Sequence, residues 1–223
     1  MDYRKVEPSS PYAFPIARAG LPFMGIAAFA TAVFALLGIT VPALVGLIAT
    51  LFIGYFFRDP DRVVPDGKGA VVSPADGKVV KVETVENERF CAGKCMKISI
   101  FMSIFNVHVN RIPYSGEIVK VAYFPGKFVS ANLDKASAEN EHNALFLKTG
   151  EGIEICFVQI AGLVARRIIC HVQGGEAVVR GQRFGMICFG SRLDVYLPLQ
   201  TTMSVKVGDR VSAGTTVLGE LPS

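Results

Sequence analysis

Between Ala19 and Phe57 the chain carries no charged side chain. Two apolar runs, Leu21 to Leu37 and Val41 to Phe57, flank the pinch Gly38-Ile39-Thr40-Val41-Pro42. Each run lies near the lower limit of roughly 17–25 residues for a helix that crosses a bilayer. Gly38 and Pro42 turn the chain between them. A helical pair buried in a soluble core would show a polar stripe, and none is present. A cleaved leader would be shorter and would close on a small-residue cleavage pattern. Arg4, Lys5 and Arg18 precede the pair and Arg58 and Arg62 follow it, so positive residues flank both ends. The pattern predicts an N-terminal α-helical membrane hairpin over residues 1–57, spanning or re-entrant, with both ends and the following domain on the cytoplasmic side of the cell membrane.

The remainder, residues 58–223, reads as a β-rich domain. Val71-Val72, Val79 to Val85, Met96 to Met102, Gly116 to Tyr123, Ile153 to Ile160 and Ile168 to Val172 have the character of strands. Asp66-Gly67, Asp76-Gly77, Pro113-Tyr114-Ser115-Gly116, Gly150-Glu151-Gly152 and Gly174-Gly175 punctuate them as turns. The expected fold is mainly β, a sandwich or partly closed barrel with few short helices. Asn132 to Asn143 has no clean period and is expected to be a loop or short helix. Val205 to Thr215 reads as strand, tight turn and strand, similar to the hammerhead of biotinyl and lipoyl carrier domains, with a faint echo in Ala177 to Gln182.

Composition excludes several functions. The net charge of +4 comes without a Lys/Arg run, so there is no nucleic-acid footprint, although a weakly basic surface suits an anionic membrane face. Apolar residues at 51% against 19% charged are oily for a soluble protein. Five cysteines without framework spacing predict free thiols in a reducing compartment. Cys91 and Cys95 have no matching His or Cys pair at zinc spacing, so no metal is expected.

Three stretches concentrate the chemistry: Ser73-Pro74-Ala75-Asp76-Gly77-Lys78, then Phe101 to Pro113 around His108, then Gly185 to Tyr196 around Gly190-Ser191. A serine is a weak nucleophile without a positioned base, and Phe189-Gly190-Ser191-Arg192-Leu193 is not a hydrolase elbow. Gly190, lacking a Cβ, allows a strained backbone and exposes its carbonyl to attack. Taken singly, His108 reads as a strand histidine bonded to backbone, and Asp76 as a turn aspartate capping its own backbone.

In this order and spacing the three stretches resemble the phosphatidylserine decarboxylase family, in particular its shorter bacterial and archaeal members, from about Phe56 to the C-terminus. The resemblance implies a pyruvoyl-dependent carboxy-lyase converting phosphatidylserine to phosphatidylethanolamine and carbon dioxide. It implies self-cleavage between Gly190 and Ser191 into a large chain (1–190) and a small chain (191–223), with Ser191 becoming a covalent pyruvoyl cofactor. It further implies that Ser191, His108 and Asp76 are catalytic, Asp76 orienting His108. Longer relatives read Leu-Gly-Ser-Thr or Leu-Gly-Ser-Ser where this chain has Phe-Gly-Ser-Arg, and carry a second histidine where this chain has Arg111. His142 stands where relatives are expected to carry Arg and is read as a loop residue near the site. Arg166 and Arg167 are candidates for the lipid phosphate through their forked donors. The partners expected are a membrane phospholipid and the chain's own two fragments, and a homo-oligomer is compatible with both. Three alternatives stay open: an ether-lipid (archaetidylserine) decarboxylase, a membrane serine hydrolase using the same three residues, and a biotinyl-like carrier. A carrier needs a lysine at a hairpin tip, for which Met96-Lys97-Ile98 is the only near match.

Overall fold

The structure is a computed structural model that describes residues 16–86, 89–91, 93–127, 139–162, 167–188 and 190–222. Its contacts divide into two compact units, the described residues of Ser9–Asp61 and those of Arg62–Ser223.

The first unit is a helical hairpin. A 3-10 turn (Arg18–Gly20) leads into α1 (Leu21–Leu36), and α2 (Thr40–Phe56) follows. The turn between them follows from Gly38, whose φ is 71°. Gly38 N–H donates to Ala35 and Ile39 N–H to Phe34, the paired bonds of a Schellman cap. Pro42 falls in the first turn of α2, where its missing N–H costs nothing. The helices meet through small and hydroxylated residues: a Cβ on Gly46 would strike Thr31, and the Thr31 and Thr50 hydroxyls lie 3.4 Å apart. Away from that seam the apolar side chains face outward, Ile26, Phe29, Leu36, Val41 and Ile48 among them, and α1 buries no residue. Arg18–Leu36, 19 residues with a mean hydropathy of 1.9, is long and apolar enough to cross a membrane, and Thr40–Phe56 is shorter.

The second unit is mainly β. Its strands are β1 (Ala70–Val72), β2 (Gly77–Glu86), β3 (Lys94–Met102), β4 (Val109–Arg111), β5 (Gly116–Phe124), β6 (His142–Lys148), β7 (Glu154–Ala161), β8 (Arg167–Cys170), β9 (Ala177–Val178), β10 (Arg183–Cys188), β11 (Ser191–Pro198), β12 (Thr202–Met203), β13 (Arg210–Val211) and β14 (Val217–Glu220). Eight of them form one antiparallel sheet in the order β13-β2-β3-β11-β7-β6-β5-β9, beside the three-stranded sheets β1-β14-β12 and β4-β10-β8. In the large sheet β11 lies between β3 and β7, Ser191 opposite Met102 on one side and Ala161 on the other. Alternation along β11 splits it between two cores. Leu193, Val195 and Leu197 join Ile98, Ile100, Met102 and Phe157, whereas Tyr196 joins Phe90, Val158 and Ile160.

The domain repeats itself. Ser73-Pro-Ala-Asp-Gly-Lys-Val-Val-Lys-Val82 corresponds to Ile112-Pro-Tyr-Ser-Gly-Glu-Ile-Val-Lys-Val121, and residues 206–214 correspond to 173–181. Gly77 pairs with Val211 as Gly116 pairs with Val178. A Cβ on Gly77 would strike the Phe101 carbonyl, and one on Gly116 the Lys148 carbonyl. The two copies interlock reciprocally, Val72 N–H donating to Pro113 and Arg111 N–H to Pro74, each at 2.9 Å.

Three sequence expectations are corrected. Val205 to Val207 is not a strand. The Asp209 carboxylate accepts the Lys206 N–H, and Gly208 at φ 102° folds the segment into a turn before β13. His142 opens β6 instead of lying in a loop; residues 132–138 of the expected loop lie outside the described residues. Cys91 and Cys95 are joined in a disulfide rather than free, brought together across Gly93 at φ 73°, while Cys156, Cys170 and Cys188 are free thiols.

Candidate active site

The three motif stretches converge. Arg111 N–H reaches the Pro74 carbonyl, Ile187 N–H reaches the His108 carbonyl at 3.4 Å, and Ser191 opposes Met102 across the ladder. The end of β3, the start of β4, the Ser73–Gly77 turn and the β10–β11 junction therefore share one corner of the domain.

At the junction Gly190 has a φ of 68°, in the left-handed region that an L side chain rarely adopts, and nothing lies within 4 Å of where its Cβ would stand. Strand β10 ends at Cys188 and β11 begins at Ser191, so the left-handed Gly190 stands immediately before the serine with open space on one side. The Ser191 side chain is fully buried, and its hydroxyl donates to Met102 Sδ at 3.3 Å. A thioether is a weak acceptor, so this contact does little to hold the hydroxyl against rotation.

His108 is also fully buried, with Nδ1 2.9 Å from the Asn106 carbonyl. A carbonyl only accepts, so the proton sits on Nδ1 and Nε2 is the basic nitrogen. The Asn106 side chain in turn accepts from Ser103 N–H and Oγ at 2.9 and 2.8 Å, fixing the turn that presents the imidazole. Asp76 Oδ1 accepts the Ala213 N–H at 2.7 Å, and Arg62 approaches its two oxygens at 2.9 and 3.2 Å.

Arg111, at the second-histidine position, is buried and donates to the Gly181 carbonyl at 2.9 Å, a structural bond. Asn143, Gln159 and Asn110 form a buried amide chain, Asn143 to Gln159 at 3.1 Å and Gln159 to Asn110 at 2.9 Å, ending 3.8 Å from the same Met102 sulfur. His142 is buried with Nδ1 2.6 Å from the Asn140 carbonyl, its ring stacked on Phe124 and edge-on to Phe90. Burial holds its imidazole below the ordinary histidine range, the Asn140 carbonyl partly opposing this. Arg167 is exposed at the start of β8 opposite Cys188, and Arg166 lies outside the described residues.

Sequence reading missed a buried ion group beside the serine. The Arg192 guanidinium meets Asp194 at 2.9 and 3.1 Å, and Lys97 Nζ lies 4.0 Å from the same carboxylate. Residues two apart on a strand share a face, so Arg-x-Asp after the serine was the available signal. This group faces away from the side that Leu193 and Val195 fill. A cavity of about 530 Å³ bordered by Arg89, Phe90, Phe146 and Tyr196 opens against the Tyr196 cluster, and Ser191, His108 and Asp76 are not among its lining residues. The Ser191 side chain is sealed from solvent.

The phosphatidylserine decarboxylase family profile matches residues 49–219. The chain is 49% identical to the phosphatidylserine decarboxylase proenzyme of Desulfotalea psychrophila over 93% of its length and 97% of the relative's. The chain belongs to the phosphatidylserine decarboxylase family. It is likewise 51% identical to the proenzyme of Syntrophus aciditrophicus (92% and 96% of the two chains) and 50% identical to that of Burkholderia mallei (93% and 95%). The phosphatidylserine decarboxylase proenzymes thus match this chain through both its helical hairpin and its β domain. A carrier role fits poorly, because Lys97 is buried within β3 instead of standing at a hairpin tip.

Proposed function

We propose that this chain is a phosphatidylserine decarboxylase that matures by cutting itself between Gly190 and Ser191. The observation that carries the reading is a left-handed glycine with open space beside it, joined directly to a buried serine at the meeting point of the three motifs. His108 Nε2 takes the proton of Ser191 Oγ, and the oxygen attacks the Gly190 carbonyl carbon. The C–N bond breaks, the proton passes to the freed amine, and an ester links the two residues. Loss of the Ser191 Cα proton expels the Gly190 carboxylate and leaves a dehydroalanine. Water then releases ammonia and leaves a pyruvoyl group at the head of β11.

The residues present fit such a group: a strand held on both sides by β3 and β7, and a cover, Gly190, that becomes a free chain end after cleavage. When present, the pyruvoyl carbonyl supplies the electron sink into which the substrate's carboxylate bond breaks. His108 returns a proton to the substrate Cα. Arg167, with Arg166, holds the phosphate by charge-assisted bonds. The apolar hairpin keeps the domain at the cytoplasmic face of the bilayer that contains the substrate.

Full-length protein in vesicles containing phosphatidylserine should release carbon dioxide and build up phosphatidylethanolamine, measured by thin-layer chromatography and trapped label. An ether-linked serine lipid in a parallel reaction compares the two lipid classes. Release of fatty acid or free serine without carbon dioxide would identify a hydrolase and contradict the proposal.

A further inference from the structure

We infer that Arg62 is a positioning residue for self-cleavage, holding the Asp76 carboxylate in the orientation that maturation uses. The inference rests on the catalytic role that the family motif implies for Asp76, as part of the proposed self-cleavage.

The internal repeat supplies the comparison. Asp76 corresponds to Ser115, and Ala213 to Arg180. Asp76 Oδ1 accepts the Ala213 N–H at 2.7 Å, and Ser115 Oγ accepts the Arg180 N–H at 2.9 Å. Capping this turn therefore needs one oxygen, and a hydroxyl provides it in the second copy. The charge of Asp76 and its second oxygen exceed what the fold requires.

Arg62 answers that excess. Its guanidinium lies 2.9 Å from Oδ2 and 3.2 Å from Oδ1, with the two side chains only 21% and 12% exposed. The short strap from Arg62 to Val64 is placed by the corresponding glycines of the two copies, Gly214 at φ 73° and Gly181 at φ 83°. A Cβ on Gly181 would collide with the Val64 side chain, and one on Gly214 would press on Arg111 and come within 3.7 Å of Arg62 Cβ. The strap thus presents an apolar residue to the copy that has Ser115 and a cation to the copy that has Asp76. Only the copy facing the proposed chemistry carries the ion pair. Two contacts on one carboxylate, a backbone N–H and a guanidinium, leave it little rotational freedom. A small misplacement of a catalytic group costs on the order of 10²-fold in rate.

The test uses the full-length chain made by cell-free synthesis in detergent, with cleavage followed on gels and melting followed by fluorescence. Asp76→Ser, which reproduces the second copy, should melt with the wild-type chain yet cleave on the order of 10²-fold more slowly. Arg62→Ala should slow cleavage similarly, Arg62→Lys should recover part of the rate, and ethylguanidinium added to Arg62→Ala should restore cleavage. Wild-type cleavage by Arg62→Ala while Asp76→Ser stalls would overturn this inference alone. Wild-type cleavage by Asp76→Ser would remove Asp76 from maturation, and Arg62 with it. Slow cleavage by Arg62→Ala that ethylguanidinium does not restore would make Arg62 a residue of the fold, which also overturns the inference.

Discussion

Ser191→Ala should leave the chain whole at every incubation time and without detectable decarboxylation. The substitution removes the hydroxyl proposed to attack the Gly190 carbonyl, so the expected effect is loss of the reaction, not a reduced rate. It should cost little stability. The hydroxyl's described bond is to a thioether, and a buried Ser→Ala change that leaves only a weak acceptor unpaired costs less than about 1 kcal/mol. The melting temperature of Ser191→Ala should therefore match that of a wild-type chain caught before cleavage. Slow cleavage by Ser191→Ala would mean that another nucleophile opens this bond.

His108→Ala should slow self-cleavage by about 10²–10⁴-fold, the usual worth of a positioned general base. Removing the fully buried imidazole also leaves a cavity, and a loosened fold would slow cleavage by itself. Two controls separate these effects. Added imidazole should enter the vacated space and recover cleavage, and His108→Gln, which keeps most of the volume, should melt nearer to wild type while cleaving as slowly as the alanine variant. His142→Ala should process normally: its ring is stacked among Phe90 and Phe124, and burial favours its neutral form. A normal rate in His108→Ala would shift the base to another group.

The parts of the fold legible in the sequence are those whose pattern is local. Absence of charge from Ala19 to Phe57 announced the hairpin, and the Gly38 turn appears where the pinch placed it. Strands β2, β3, β5 and β7 show clear apolar runs between turn residues. Strand β6 was missed because nearly all of His142–Lys148 is buried on both faces, which removes the alternation that marks a strand. Of the internal repeat, the echo of 205–215 at 177–182 is the fainter half; the other carries the stronger local signal, Pro74, Gly77, Val80, Lys81 and Val82 recurring as Pro113, Gly116, Val119, Lys120 and Val121. The serine, histidine and aspartate were identified by resemblance. The partners of Asp76 could not be, since Arg62 and Ala213 reach it from 14 and 137 residues away, whereas Asn106 holds His108 from only two residues away. Arg192 and Asp194 carry a local signal, two charges on one face of an otherwise apolar strand.

The most direct measurement is the mass of the pieces. Purified full-length protein, denatured and separated, should yield a fragment ending at Gly190 and a smaller one beginning at residue 191. The smaller fragment should resist Edman degradation and gain mass with a hydrazide, as a terminal ketone requires. A single chain with full decarboxylase activity, or a small fragment with a free serine amine, would contradict the account.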